Sequence, residues 1–254
     1  MAKPSKPSKT AKTERQRLIE ETLKKQRSTE KRKGNIIIIS AVVVALVILG
    51  VAAGPIVIGR FQEQAYADTP VNKIGAAASV CQKVVEKQGT DVGNHVEQGQ
   101  SVTYDTAPPA FGPHWNVAGV APATFREKYY GENDRPPLEA LVHNLEHGYT
   151  ILWYDQTIAD DSDQLAQVKA IARKYKESGD NANFRNKFIA APWLDSDEDG
   201  AEFPDGQHVA FTHWKGDTTT STGVWQYCDE VSGAALVDFM DTYPYTDAPE
   251  ATVP

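Results

Sequence analysis

The chain has 254 residues, of which 41% are hydrophobic, and a net charge of −8. This composition, with only two cysteines, excludes a collagen-like repeat, a disulfide-dense miniprotein and a wholly disordered chain. The charge is segregated: residues 1–34 hold 12 Lys and Arg against 4 Asp and Glu (net +8), and the rest holds 14 against 30 (net −16). We therefore expect the two parts to work in different surroundings.

An apolar run of 24 residues without a charge, Ile36–Gly59, follows the basic segment. A helix of this length reaches about 36 Å, which is enough to cross a hydrocarbon core of about 30 Å. Lys31, Arg32 and Lys33 flank one end of the run, whereas only Arg60 flanks the other. The positive-inside rule then predicts a single-pass protein of the cell membrane, with a transmembrane helix at 35–59 and a cytoplasmic N-terminus.

The basic tail, residues 1–34, is expected to set this topology and to contact the lipid bilayer. Nucleic acid is not expected as a partner, because no aromatic or base-reading element accompanies the charge and the acidic part of the chain would repel a polyanion. A cleaved signal peptide is the alternative to an anchor, since Ala65-Tyr66-Ala67 resembles a cleavage site. The apolar run is longer than the roughly 7–15 residues of a signal peptide, which favours the anchor.

The two cysteines, Cys81 and Cys228, both follow the apolar run and are predicted to lie outside the cytoplasm, where disulfides persist. They are too far apart in sequence to form a C-x-x-C redox motif. We therefore predict one structural disulfide that closes an extracytoplasmic domain.

The part after the membrane is divided into a stalk (60–80), a domain (81–245) and a flexible tail (246–254). The predicted elements of the domain are, in chain order, a strand at 99–104, a proline-rich loop at 107–113, a helix from Pro136-Pro137 that Gly148 ends, a strand at 149–154, an amphipathic helix at 161–178, strands at 188–191 and 209–214, and a helix at 231–243. This order predicts an α+β fold, with one small mixed sheet flanked by helices.

The sharpest chemical motif is His143-Asn144-Leu145-Glu146-His147-Gly148. Residues four apart share one face of a helix, so His143 and His147 can converge on one ion. Two imidazoles suit zinc, copper or nickel, and His95 and His114 are the candidates to complete the ligand set. An ordinary helix end is the alternative, because histidine is favourable near the negative C-terminal dipole.

Several motifs occur in an order that resembles the bacterial domain of unknown function 3105 family. They are Asn94-His95-Val96, Tyr104-Asp105, Pro108-Pro109, Gly112-Pro113-His114-Trp115, Leu141–Gly148 and Trp153-Tyr154. The resemblance implies a membrane-anchored chain with an extracytoplasmic domain, and it marks His95, His114, His143 and His147 as motif positions. It implies no reaction.

The chain departs from the family pattern in two places. Ala118-Gly119-Val120 stands where many relatives have Cys-Gly-Val-Tyr, so a thiolate ligand of relatives would be absent here. Thr212-His213-Trp214 stands where Ala-Trp-Gly is usual.

The main hypothesis is a copper or zinc site formed by the four motif histidines. The alternative is an accessory subunit of an envelope or respiratory membrane complex, in which the histidines only form hydrogen bonds in the core.

H-x-x-E-H is also the inverted zinc-peptidase motif, in which Glu146 would be the general base; otherwise Glu146 is expected to support a histidine ligand. No other enzyme motif accompanies it, and no catalytic residue is assigned.

The acidic loop with Asp195, Asp197 and Asp199 matches the first half of a calcium loop. Position 12 of that loop is Gly206 instead of Glu, so at most a weak calcium site is predicted there.

Overall fold

The computed structural model describes residues 9–90, 93–177, 186–217 and 219–252, without the side chains of 9–15, 29, 34–37 and 49–63. The chain divides into two compact units, Met1–Ile58 and Gly59–Pro254. The helices are α1 (Lys9–Ala65), α2 (Leu138–Glu146), α3 (Gln156–Asp160), α4 (Ser162–Glu177) and α5 (Gly233–Thr242). The strands are β1 (Val85–Gly89), β2 (His95–Val96), β3 (His114–Trp115), β4 (Thr150–Tyr154), β5 (Phe188–Pro192), β6 (Val209–Gly216) and β7 (Ser221–Cys228).

None of the helices, as far as the described residues go, is both long and apolar enough to cross a membrane. The transmembrane helix predicted at 35–59 is therefore not supported by those residues. The side chains of 35–37 and 49–59 lie outside them.

The second unit is built on a five-stranded sheet with the order β1-β7-β6-β4-β5. Strands β4 and β5 are parallel, and the other neighbouring pairs are antiparallel. Helices flank this mixed sheet, so the predicted α+β class is confirmed. A separate parallel pair joins β2 to β3.

Strand β4 is buried along its whole length because both faces of the sheet are covered. Leu152 and Tyr154 belong to one core layer, which also contains apolar residues of α4 and α5. Ile151 and Trp153 point the other way, into a layer with Leu141, Val142 and Leu145 of α2. Alternate side chains of a strand face opposite sides, which explains why this segment is an unbroken apolar run.

Most of the predicted elements are present with shifted ends. The predicted helix at 161–178 is α4, and Ser178 lies outside the described residues. The predicted helix at 231–243 is α5, where the Ser232 side chain accepts a hydrogen bond from the Ala235 amide as its N-cap. The strands at 149–154, 188–191 and 209–214 correspond to β4, β5 and β6.

The strand predicted at 99–104 is wrong. Its backbone amides do not join a sheet: the Val102 amide donates to a Glu139 carboxylate oxygen and the Tyr104 amide donates to Glu198, each over 2.9 Å. Carboxylates from distant segments accept these hydrogen bonds in place of a neighbouring strand. The local sequence pattern does not show such long-range contacts. Strands β1 and β7 are not among the elements predicted from the sequence.

The globular unit includes part of the predicted stalk. Ile74 is fully buried in the core layer that contains α5. The Ser232 hydroxyl donates to the carbonyl of Ala76, and the Gly233 amide donates to the carbonyl of Ile74. Residues 71–80 thus pack at the start of α5 instead of forming a spacer.

The predicted disulfide is present between Cys81 and Cys228, which are 147 residues apart. Cys228 is the last residue of β7 and is fully buried. The bond therefore ties the N-terminal part of the unit to the sheet.

We expect the double substitution Cys81→Ala/Cys228→Ala to lower the free energy of unfolding by about 2–5 kcal/mol, because the unfolded chain loses a long covalent loop. Urea unfolding without reductant measures this change. A reductant should destabilise the wild-type chain and leave the double variant unchanged. Equal stability of the two oxidised proteins would contradict the prediction.

Candidate metal centre

Two histidines from separate loops are placed side by side by the short β2–β3 pair. His95 lies opposite His114 in this parallel register, and their ring centroids are 4.9 Å apart. The side chain of His114 is completely buried, whereas that of His95 is 42% exposed. The pair therefore reaches from the core to the surface.

Helix α2 supplies the other side of the site. Its residues are all buried, and His143, Glu146 and the C-cap residue His147 share one face. Gly148 follows the C-cap of this helix and has a φ of +89°. A Cβ atom at this position would lie 2.4 Å from the carbonyl oxygen of Tyr245, so both the conformation and the space require glycine.

Glu146 Oε2 lies at the centre of the cluster. It is 2.9 Å from His114 Nε2, 3.7 Å from His95 Nε2 and 4.0 Å from His143 Nε2. The four ligand atoms all lie within 4.8 Å of one another, so this group could hold a metal ion. Ligands of a tetrahedral zinc ion are roughly 3.3–3.5 Å apart, which falls inside the range of these distances.

The outer nitrogens of two rings are held by backbone carbonyls. His114 Nδ1 donates to the carbonyl of Gly112 over 2.9 Å, and His143 Nδ1 donates to that of Trp115 over 2.6 Å. A carbonyl only accepts hydrogen bonds, so both Nδ1 atoms carry the proton. In the neutral form of such a ring the Nε2 lone pair points to the other ligand atoms, which is the arrangement that fixes histidine ligands in metal sites.

Two pairs of potential ligand atoms lie at hydrogen-bond distance from each other. His114 Nε2 and Glu146 Oε2 are 2.9 Å apart, and His143 Nε2 is 3.1 Å from His147 Nε2. Two lone pairs at such distances repel each other. Either a ring protonated at Nε2 donates across each gap, or an ion replaces that proton.

The protonation states suit ligands. Burial and then repulsion from His114 and His147 lower the pKa of His143 to about 3, so this ring is neutral at physiological pH. Burial alone would raise the pKa of Glu146, but the hydrogen bond from His114 and the charges of the histidines outweigh it and lower that pKa. Glu146 therefore stays a carboxylate inside the protein.

Asn144, inside the same motif, has a structural role. Its side-chain oxygen accepts from the Ala123 amide over 2.9 Å, and its side-chain nitrogen donates to the Ala123 carbonyl over 3.0 Å. The residue is fully buried. This pair of bonds joins α2 to the loop that follows β3.

His147 belongs to a second group of potential ligands, with Glu146 and Glu250. Its Nε2 atom is 3.4 Å from Glu250 Oε2. Glu250 lies in the segment that was predicted to be a flexible tail (246–254), and the structure packs part of that segment on the domain. The Glu250 amide donates to the carbonyl of Glu146, and Asp247 Oδ1 is 2.7 Å from His213 Nε2.

The acidic loop is arranged differently from the half calcium motif. Arg135 binds both carboxylate oxygens of Asp197, each over 2.8 Å, and the Leu194 amide donates to the same side chain. Among the described residues, Asp195, Asp197 and Asp199 do not form a group of converging ligand atoms. Arg135 neutralises the Asp197 carboxylate, whose negative charge a calcium ion would need. This explains why the loop differs from a calcium-binding loop.

The structure thus brings three of the four predicted histidines (His95, His114 and His143) to one point and places His147 beside them. Glu146, which was expected to support a ligand or to act as a base, belongs to the group of potential ligands. Glu250 was missed, because nothing in a Pro/Asp/Thr-rich C-terminus indicates that it returns to the site. The free general base of the inverted zinc-peptidase motif is not matched, since Glu146 Oε2 lies among the imidazole nitrogens.

The family model described as Protein of unknown function (DUF3105) matches residues 95–254. The match begins at His95, includes every residue of both ligand groups, and extends past the predicted domain end at 245. Comparison with curated proteins and with solved structures finds no match.

Gly93 lets Glu146 occupy its position, and Gly99 offers a matched control. Both residues have positive φ angles (+83° and +85°), but a Cβ at Gly93 would lie 2.1 Å from Glu146 Oε1, whereas a Cβ at Gly99 would have no atom within 4 Å. Each alanine substitution should cost roughly 1–2 kcal/mol of backbone strain. Only Gly93→Ala should also displace the carboxylate and weaken Zn²⁺ binding, by about 10–100-fold.

Zn²⁺ titration against a competing chelator, with urea unfolding for both variants, measures this difference. Equal zinc affinities of Gly93→Ala and Gly99→Ala would contradict the proposed position of Glu146.

Proposed function

The chain belongs to the DUF3105 family, whose description assigns no activity, and we propose that it binds a transition-metal ion through His95, His114, His143 and Glu146. One observation carries the proposal. The Nε2 atoms of the three histidines surround one carboxylate oxygen at 2.9–4.0 Å, and the Nδ1 atoms of His114 and His143 donate outward to backbone carbonyls.

The chemistry of the donors points to zinc or copper. Imidazole nitrogens are borderline ligands that suit these ions, and zinc also accepts a carboxylate oxygen, whereas calcium requires six to eight oxygen ligands. Four protein ligands close a tetrahedral ion and leave it no open position for a substrate. This favours holding or passing on the ion over catalysis.

The exposure of the ligands suggests how the ion enters. His114, His143 and Glu146 are buried, and His95 is the exposed member of the group. An ion would therefore meet His95 first and reach the buried ligands next. A site whose ligands range from exposed to buried suits metal handling better than a role as a purely structural site sealed in the core.

We expect His114→Ala and His143→Ala to lose Zn²⁺ and Cu²⁺ binding, with affinity falling by about 100-fold or more, because loss of a ligand exceeds the 10–100-fold cost of losing a residue that supports one. The control is His208→Ala, since His208 pairs with Asp155 outside the cluster. Metal content and chelator competition on the purified full-length chain measure the effect.

A wild-type chain that binds neither ion, in oxidised or refolded form, would overturn the proposal. Unchanged affinity in both ligand variants would do the same.

We further propose that the domain lies outside the cytoplasm, on a chain anchored in the cell membrane with its N-terminus inside. The support is the uncharged run at 36–59 with basic residues on one side, and the disulfide, which persists in oxidising compartments. Apolar side chains in the described part of that run are also exposed, among them Ile38, Leu46 and Ile48 at 61–63%. Contiguous exposed apolar surface of this kind is covered by lipid or by a partner.

We expect the chain to stay in the membrane fraction after an alkaline carbonate wash, because a spanning helix is held by its apolar surface. In bacterial spheroplasts, added protease should remove a C-terminal epitope and spare an N-terminal one. Deletion of residues 36–59 is the control and should release the chain. Extraction of the full chain by carbonate, or protection of the C-terminal epitope, would contradict the proposal.

A further inference from the structure

A second group of ligand atoms adjoins the first and shares one residue with it. Glu146, His147 and Glu250 bring their ligand atoms within 4.8 Å of one another. His147 Nε2 lies 3.4 Å from Glu250 Oε2 and 3.1 Å from His143 Nε2, which belongs to the first group. The two groups therefore meet at Glu146 and along the His143–His147 face of α2.

The C-terminal segment is held in place by contacts that do not involve the Glu250 side chain. The Glu250 amide donates to the Glu146 carbonyl over 2.9 Å. The buried Lys187 amine donates to the carbonyl of His147 and, over 2.9 Å, to that of Ala251. These bonds hold the main chain at Glu250 next to the end of α2, and they would persist if the Glu250 carboxylate were replaced.

The shared carboxylate has the chemistry of a bridge. Its two oxygens can each bind a different ion, and two-metal sites in proteins place their ions about 3.5–4 Å apart. The first group supplies imidazoles to one position, and the second group supplies an imidazole and a second carboxylate to the other. Two negative charges then face two divalent ions, which gives a better charge balance than two ions on imidazoles alone.

We infer that the chain binds a second divalent transition-metal ion, held by His147 and Glu250 and bridged to the first ion by Glu146. This inference rests on the proposed function. The second position has three protein ligands, so it keeps an open position for water or another small ligand. Glu250 is 43% exposed, which makes this the position that exchanges with solvent.

The test uses the full-length chain in mild detergent and counts Zn²⁺ per chain by native mass spectrometry and metal analysis. Wild type should bind two ions. Glu250→Gln, which keeps the size and the backbone bonds of the tail, should bind one ion with the affinity of the tighter wild-type site. Glu230→Gln, at an exposed position outside both groups, is the control and should bind two.

Copper gives an independent measurement. Two Cu²⁺ ions bridged by Glu146 should be magnetically coupled, so the electron paramagnetic resonance signal of wild type should account for less than the total copper. Glu250→Gln should restore a signal equal to its copper content. If Glu250→Gln does not fold, Glu250→Asp should keep two ions with a weaker second affinity.

The outcomes separate the two proposals. One ion per wild-type chain would overturn this inference and leave the proposed function intact, whereas no ion would overturn both. Two ions in Glu250→Gln would overturn the assignment of Glu250.

Discussion

Glu146 is a carboxylate buried among imidazole rings, and the rest of the site depends on how its charge is balanced. Removing a carboxylate from water costs several kcal/mol unless a positive charge or donors replace the solvent. The pKa of Glu146 is nevertheless lowered, because the surrounding histidines favour its charged form more strongly than burial opposes it. A divalent ion bound by this group would supply the balancing charge.

The fold brings the partners of Glu146 from four separate segments. The parallel β2–β3 pair aligns His95 with His114, while α2 presents Glu146 and His143 from the opposite side. Gly93 leaves room for the carboxylate, and the C-terminal segment returns to place Glu250 next to His147. The disulfide and the five-stranded sheet lie outside this site and hold the segments that surround it.

The sequence predicted the site in part, and the parts that it predicted share a local signal. His143 and His147 are four residues apart on a helix whose start at Pro137 and end at Gly148 are both visible in the sequence. His95 and His114 followed as candidates because few other histidines exist, and the family motifs then marked the same positions. For Glu146 the sequence predicts a supporting role or that of a base, because spacing along a helix does not tell which atom a distant ring will meet.

Other errors have the same origin. The segment at 99–104 has the composition of a strand, but its amides donate to Glu139 and Glu198 from distant parts of the chain. The tail at 246–254 has the composition of a frayed end, but Lys187 and Glu146 hold its backbone. The half calcium motif has the required carboxylates, but Asp197 forms an ion pair with Arg135.

Several features can be derived from the amino-acid sequence alone: the segregation of charge, the apolar run, the pairing of the only two cysteines, the main helices and strands, and the helical His143–His147 pair. These features follow from periodicity, composition and residue counts, which do not depend on which distant segments of the chain meet. The packing of distant segments is needed to explain why Glu146 lies among the histidine nitrogens, why His147 lies near Glu250, and why the C-terminal segment contacts the end of α2. Each of those outcomes depends on which distant donor or acceptor satisfies a buried polar group, and that choice is made when the segments pack together.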